Sequence, residues 1–456
     1  MKNKKLKLIS ASLFCVSMLG TFSSCGSSTT FDPNFVVPTE GFNEDNEVTI
    51  KFYSTMGQSL QDVFNRYLDK FNEIYPNIHV ESQFIGGYDD VMDQMSTEIA
   101  SGKSEVNVTY CYPDHVATYN TSKSVICLDN LIEDDTYGFS KTEYKDFVTA
   151  FYDEGKTFGD GKMYCLPFSK SSEVMYYNKT VFDELGLNVP THWYSTGDDD
   201  TSSMEYVCAT LKKKYPDSIP LGYDSGSNLF ITWCEQLNIP YTQSGANNNY
   251  LFNNEQAKEF MTKIKTWYEN GWITTKDLYG SYTSGLFTSS DSKRCFMCIG
   301  SSAGASYQNS SEFTCEIAAI PQHNEKNKKV IQQGPDVCIF NNSDPQKVMA
   351  SWLFVKYFTT NVQFQAQFSM TSGYQPVINS VYENETYKNF LNSGTDLQAK
   401  AIKVCSDNMD AAFTNAAFPG STNARTQVGN LVTTVLQGKS DINTAFSDAL
   451  ANCENY

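Results

Sequence analysis

The chain has 456 residues, a net charge of −18 and 14% aromatic residues, enough for two or three domains with real cores. So acidic a surface argues against nucleic acid as a partner and against a broad electrostatic membrane patch, because both present negative charge. An anionic ligand would need a local cluster of donors.

In chain order, Lys2, Lys4, Lys5 and Lys7 form a positive segment ahead of an apolar stretch that starts at Leu8. That stretch is too short and serine-rich to span a bilayer and reads as a signal peptide over 1–24. Ser23 and Ser24 lead into Cys25, a pattern that resembles a bacterial lipoprotein signal in which the cysteine is lipidated. The expected location is outside the cell membrane, tethered through Cys25. Residues 25–46, rich in Ser, Thr, Pro and Gly without periodicity, read as a flexible tether. A strand in "VTIKFYSTMGQ" is then followed by "LQDVFNRYLDKFNEIYP", where Val63, Phe64, Tyr67, Leu68, Phe71 and Ile74 form one helical stripe. Strand, helix and strand continue through "NIHVESQFI", "GGYDDVMDQMSTEIASGK" and "VNVTYCYP". This alternation predicts an α/β fold with mostly parallel sheets. Further helices are expected from Lys179, in "NNEQAKEFMTKIKTWYENGW" up to Gly271, in "DPQKVMASWLFVKYFTT" behind Pro345, and as a final pair broken at Gly438.

The 13 cysteines show no framework. Cys295 and Cys298 have C-x-x-C spacing, but "RCFMCIG" reads as a strand, where those positions face opposite ways. Most cysteines are expected to be small buried hydrophobes. The 28 tyrosines suit cores and also clefts that hold polyols.

Catalytic signals are sparse. "GSSAG", Gly300 to Gly304, has the form of a nucleophile elbow with Ser302, but His323 is the sole histidine after it, with little room for the rest of a hydrolase sheet. The plainer reading is a ligand-binding turn of small residues and free N–H groups. His79, His115, His192 and His323 lack metal-ligand spacing. There is no phosphate loop or dinucleotide fingerprint, so no cofactor is expected. A surface glycosidase or esterase, or an adhesin with an idle cleft, remain the alternatives to a binder.

"LPFSKSSEVMYYNKTVFDELGLNVPTHW", "FMCIGSSAG", "DPQKVMASWLFVKYF", "SGYQPV" and "LQGKSDINTAFSDAL" follow one another as in extracellular solute-binding proteins that feed ABC importers of sugars and glycerol phosphates, and the chain from about 47 to 456 resembles that family. The resemblance implies a two-lobed, type II binding-protein fold, monomeric, which closes by a hinge on a small polar ligand and passes it to permease subunits. It implies crossings near 168–172, 334–340 and 380–385, with one lobe at 46–168 plus 338–380 and the other at 169–337 plus 381–456. Within the family the chain looks most like the glycerol-3-phosphate branch. That likeness implies ligand roles for Tyr53 in "FYSTMG", Tyr88 in "GGYDD", Ser171 in "FSKSSEV", Ser301 and Ser302 in "GSSAG", Gly334 in "QQGPDV", Tyr374 in "SGYQPV" and Arg425. The acid of that branch has no exact match, and Asp114 is nearest; its tryptophan loop leaves Phe230 and Trp233 as possible platforms. Hydroxyls, backbone N–H groups and one guanidinium suit a phosphate, whereas a neutral sugar would use tyrosine faces and carboxylates.

Overall fold

The computed structural model describes residues 33–455 apart from 198, 246, 247 and 292. The signal segment and Cys25 lie outside the described residues. Among the described residues twelve strands form: β1 (Val48–Ser54), β2 (Ile78–Phe84), β3 (Val108–Cys111), β4 (Leu166–Pro167), β5 (Ser171–Asn178), β6 (Leu221–Tyr223), β7 (Ile273–Thr275), β8 (Met297–Ser301), β9 (Cys315–Ala318), β10 (Val330–Gln333), β11 (Asp336–Ile339) and β12 (Ala412–Phe413).

They build two sheets. The first runs β2-β1-β3-β11-β4, and the second runs β12-β10-β5-β8-β6-β7 with β9 on β5. The expectation of mostly parallel pairing is corrected. β1 lies parallel to β2 and β3, but β11 runs antiparallel to β3 and β4, and β5 runs antiparallel to β8, β9 and β10. The physical cause is the path of the chain. β4 ends in one sheet and β5 begins in the other a short step of backbone later, and β10 hands over to β11 in the same way. Strands that enter a sheet from its neighbour arrive against the direction of the βαβ units.

Each sheet has its own core. Helix Gln58–Ile74 lays Val63, Phe64, Tyr67 and Phe71 on the first sheet, where the Phe64 ring sits 5.6 Å from Phe52 and 4.8 Å from Phe358. Ile74, at the end of the predicted stripe, is exposed instead, because the helix stops there before Pro76. The second core gathers Trp193, Trp233, Phe230, Phe260 and Phe446 around β6 and β8. Helix Pro345–Thr360 starts as expected: Asp344 accepts from the Gln346 N–H and Pro345 opens the first turn. Tyr387 is buried in the first core and Leu397 in a cluster on the second sheet, so a third passage falls between them, later in the chain than 380–385.

The stretch 33–46 departs from the expected flexible tether. Phe35 and Phe42 are buried in the first core, Asn130 donates its side-chain amide to the Phe35 carbonyl at 2.8 Å, and the Phe42 N–H donates to the Tyr137 hydroxyl at 3.0 Å. Two aromatic anchors outweigh a loop-like composition. The eleven cysteines of the described residues are free and buried, in accord with their reading as small hydrophobes. Among the described residues no helix is long and apolar enough to cross a membrane.

Candidate ligand-binding site

Where the two sheets face one another, a cleft of about 130 Å³ is lined by Asp89, Tyr112, Asp114, His115 and Glu154 on one side and by Tyr241, Gln332, Gln333, Asn415, Thr422 and Arg425 on the other. Helix Pro113–Tyr119 lies beside helix Ser421–Leu436, which carries Arg425. Tyr112 and Asp114 stand at the carboxyl end of β3 and the start of the helix after it, the usual place for ligands in such sheets.

Arg425 is aimed by a buried relay. Its guanidinium donates to the Asn228 side-chain carbonyl. The Asn228 amide donates to Glu173 Oε1 at 2.8 Å, and the Tyr223 hydroxyl donates to Glu173 Oε2 at 2.6 Å. Burial pushes the Glu173 carboxyl up to about 7, against the pull of Tyr223, Asn228 and Arg425.

Around the passages between the sheets lies a second group of donors, drawn from several elements. The Tyr88 and Tyr374 hydroxyls are 3.0 Å apart, and the Tyr88 ring sits 4.9 Å from Tyr112. Burial raises both phenols well above their ordinary range, so they stay protonated and can donate. Ser301 donates to Ser171 at 3.1 Å, since β8 pairs with β5. The Gly334 backbone hydrogen-bonds Tyr112. Gly334 has φ +94°, and a Cβ there would meet the Ser169 carbonyl oxygen at 2.4 Å and Lys170 Cα at 2.7 Å, so glycine alone fits. Gly373 shows the two halves in close approach: a Cβ on it would meet the Ser302 carbonyl at 2.6 Å.

Beneath these donors lies Lys170, wholly buried. Its ammonium is 2.5 Å from Glu154 and 2.6 Å from Asp336, and it donates to the Gly334 carbonyl at 3.2 Å. Burial works against its charge, but Asp336 and Glu154 outweigh burial and hold it protonated.

The structure therefore brings Tyr88, Ser171, Ser301, Gly334 and Tyr374 together at the crossings and places Asp114 and Arg425 in the cleft. It corrects four assignments. Tyr53 points to the opposite face of β1 from Phe52, packs with Val91, Met92 and Met95, and donates to Glu98 at 3.0 Å. Phe230 and Trp233 are fully buried in the second core, where Phe260 and Trp193 lie 5.0 and 5.1 Å from them respectively; helix Gly226–Leu237 is enclosed and has no free face for a platform. Ser302 is fully buried with its hydroxyl against the Cys405 thiol, and the rings of Trp193, Tyr194 and Trp233 surround His323, so no Ser–His pair forms there. Tyr112 and Tyr241, absent from the sequence-derived set, supply the aromatic faces of the cleft. Tyr112 stands two residues before Asp114, in the same "YCYPDH" segment, and its place at the end of a strand was the signal that could have found it.

Residues 66–392 match the family model of the bacterial extracellular solute-binding protein. The chain is similar to the sn-glycerol-3-phosphate-binding periplasmic protein UgpB of Yersinia pestis bv. Antiqua (strain Antiqua), 23% identical over 387 residues, which cover 82% of each chain. It is similar also to the protein of that name from Brucella abortus (strain 2308), 21% identical over 426 residues, 89% of this chain and 92% of the relative. Among solved structures, Lmo0181 from Listeria monocytogenes, an ABC substrate-binding protein in complex with cycloalternan, superposes with a TM-score of 0.72 at 18% identity over 90% of this chain and 98% of that one. UgpB from Mycobacterium tuberculosis, in complex with glycerophosphocholine, gives 0.69 at 16% identity over 90% and 98%. These likenesses establish the two-lobed type II fold. With the family model spanning most of its length, the chain belongs to the bacterial extracellular solute-binding protein family.

Proposed function

We propose that this protein captures a phosphorylated glycerol, as glycerol phosphate or a glycerophosphodiester, outside the cell and delivers it to an ABC permease. The observation that carries the reading is the pairing of Arg425, aimed into the cleft through Asn228, with a cluster of neutral donors at the crossings: Tyr88, Tyr374, Ser171, Ser301 and the Gly334 N–H. In a net-negative protein such a local donor set is how an anion is held. The glycerol-3-phosphate named for the relatives, and the glycerophosphocholine of one structural neighbour, support it. The lobes meet at 168–170 and 334–335, the strand-to-strand passages, and closure is by rotation there. Cys25 carries the lipid tether, and the protein acts as a monomer without cofactor or turnover.

A specific observation favours a second reading, a neutral oligosaccharide. Asp89 and Asp114 line the cleft with the Tyr112 and Tyr241 rings, and carboxylates with aromatic faces suit sugar hydroxyls and ring planes. A thermal-shift panel with glycerol 3-phosphate, glycerophosphocholine and maltotriose separates the two. A ligand at a thousand times its dissociation constant adds about 4 kcal/mol, a shift of several degrees. A shift with a phosphate compound supports the first reading. A shift with maltotriose alone moves the ligand to the carboxylates and tyrosines. Release of product from chromogenic glycosides or esters would overturn the binder.

A further inference from the structure

Lys170 is unlike any other cation among the described residues. It is fully buried, it is shared between two carboxylates on different elements, and it sits in the passage between the sheets rather than in a core. Glu154 comes from helix Thr149–Glu154 and Asp336 from the first residue of β11. Gln332 of β10 donates to the same Glu154 oxygen at 2.7 Å, and Cys165, just before β4, faces the other oxygen of Asp336 at 3.7 Å. The backbone of Lys170 is engaged as fully as its side chain. Its N–H donates to the Gln375 carbonyl at 3.1 Å and its carbonyl accepts from the Gln375 N–H at 2.5 Å.

These contacts converge on the ligand site. Ser171 is the next residue. Gly334 receives the ammonium on its carbonyl and passes so close to the Lys170 backbone that a Cβ on it would meet the Lys170 Cα at 2.7 Å. Tyr374 is the neighbour of Gln375. One residue thus ties together the three backbone segments that present Ser171, Gly334 and Tyr374. We propose that Lys170 is the positioning residue of the ligand site: it fixes those three donors relative to one another without itself touching ligand. This rests on the proposed binding function of that site.

The physical logic separates stability from geometry. A buried ion network is often no more stabilising than a neutral substitute of similar shape, yet it can fix one arrangement where a neutral one allows several. Neutralising the whole network therefore tests the role without leaving an unpaired buried charge. The comparison is between wild type and the variant Glu154→Gln/Lys170→Met/Asp336→Asn, with Arg425→Ala and Tyr374→Phe as references and with Glu154→Gln alone as the baseline for any direct contact, because Glu154 also lines the cleft. Melting temperature and calorimetric affinity are read for glycerol 3-phosphate, glycerophosphocholine and maltotriose, using whichever binds wild type. The expected result is a triple variant that melts near wild type but binds about tenfold or more weakly, a loss of about 1.4 kcal/mol in binding free energy. Restoring Lys170 and the two acids one position at a time should return affinity only when all three are present.

Wild-type affinity in a stably folded triple variant overturns the positioning role and leaves the site standing, provided Arg425→Ala and Tyr374→Phe bind weakly. Unchanged affinity in those two references contradicts the site itself, and the positioning role with it. Failure of all three compounds to bind wild type does the same. If the triple variant is unfolded, Lys170→Met in the Asp336→Asn background, with Glu154 kept at the cleft and still accepting from Gln332, gives the second reading: weak binding by folded protein supports the role, and wild-type binding overturns it.

Discussion

Two buried polar clusters flank the cleft, and they use charge differently. Around Glu173, a single carboxylate accepts from Tyr223 and Asn228, and the chain of contacts ends in a side chain, the Arg425 guanidinium, that reaches the cleft. Around Lys170, an ammonium and two carboxylates close on themselves, and the contacts lead out through backbone: the Gly334 carbonyl and both peptide groups of Gln375. The first cluster aims one flexible side chain. The second sets the positions of whole segments. A buried relay ending in a side chain is suited to tuning one ligand contact, whereas a network ending in main chain is suited to holding several contacts in register.

The contrast is sharpest in Lys170→Met alone. It leaves Glu154 and Asp336 buried together without a counter-charge, so the expected loss is about 3–5 kcal/mol of stability, measured by urea unfolding; a loss near zero would mean that the two acids are readily neutralised and the network is not holding the passage. Asn228→Ala comes next. Arg425 loses its acceptor and Glu173 one donor, with an expected cost of about 1–3 kcal/mol and weaker phosphate binding, while maltotriose binding, if present, changes less. Equal loss for both ligands would break the distinction between aiming and holding.

Glu173→Gln adds a pH test. The Glu173 carboxyl is raised by burial from its ordinary 4.5 to about 7. Between those values the folded chain keeps a proton that the unfolded chain has released, so stability falls as pH rises across the window and levels off above it. The variant should be the more stable protein at pH 8, by at most about 3 kcal/mol, and should lose that advantage near pH 4.5. An advantage equal at both pH values would contradict a buried carboxyl that titrates late. The smallest effect belongs to Tyr53→Phe, which removes a bond to a partly exposed Glu98. It should cost no more than about 1 kcal/mol and leave ligand affinity unchanged; weakened binding would return Tyr53 to the site.

Periodicity made much of the architecture legible before the structure. The stripe of helix Gln58–Ile74, the start behind Pro345 and the break at Gly438 all follow from local spacing and capping. Mixed strand direction was not legible, because it arises from passages between sheets that local pattern does not record. Within the site, Gly334, Ser171 and Ser301 were named through the family resemblance and not through local pattern; the structure gives Gly334 a left-handed φ and sets the two serines on paired strands. Phe230 and Trp233 misled because an aromatic residue beside small polar ones fits both a platform and a core, and only the enclosure of helix Gly226–Leu237 decides. Lys170, Glu154 and Asp336 lie far apart in sequence, so nothing short of the fold unites them.

The most direct test is calorimetric titration of residues 26–456, wild type and Arg425→Ala, with glycerol 3-phosphate and glycerophosphocholine. The account predicts that at least one of these binds wild type and that binding is lost in the variant, while the melting temperature of the unliganded protein barely moves. Phosphate binding that survives the loss of Arg425, or binding of maltotriose with neither phosphate compound bound, would contradict it.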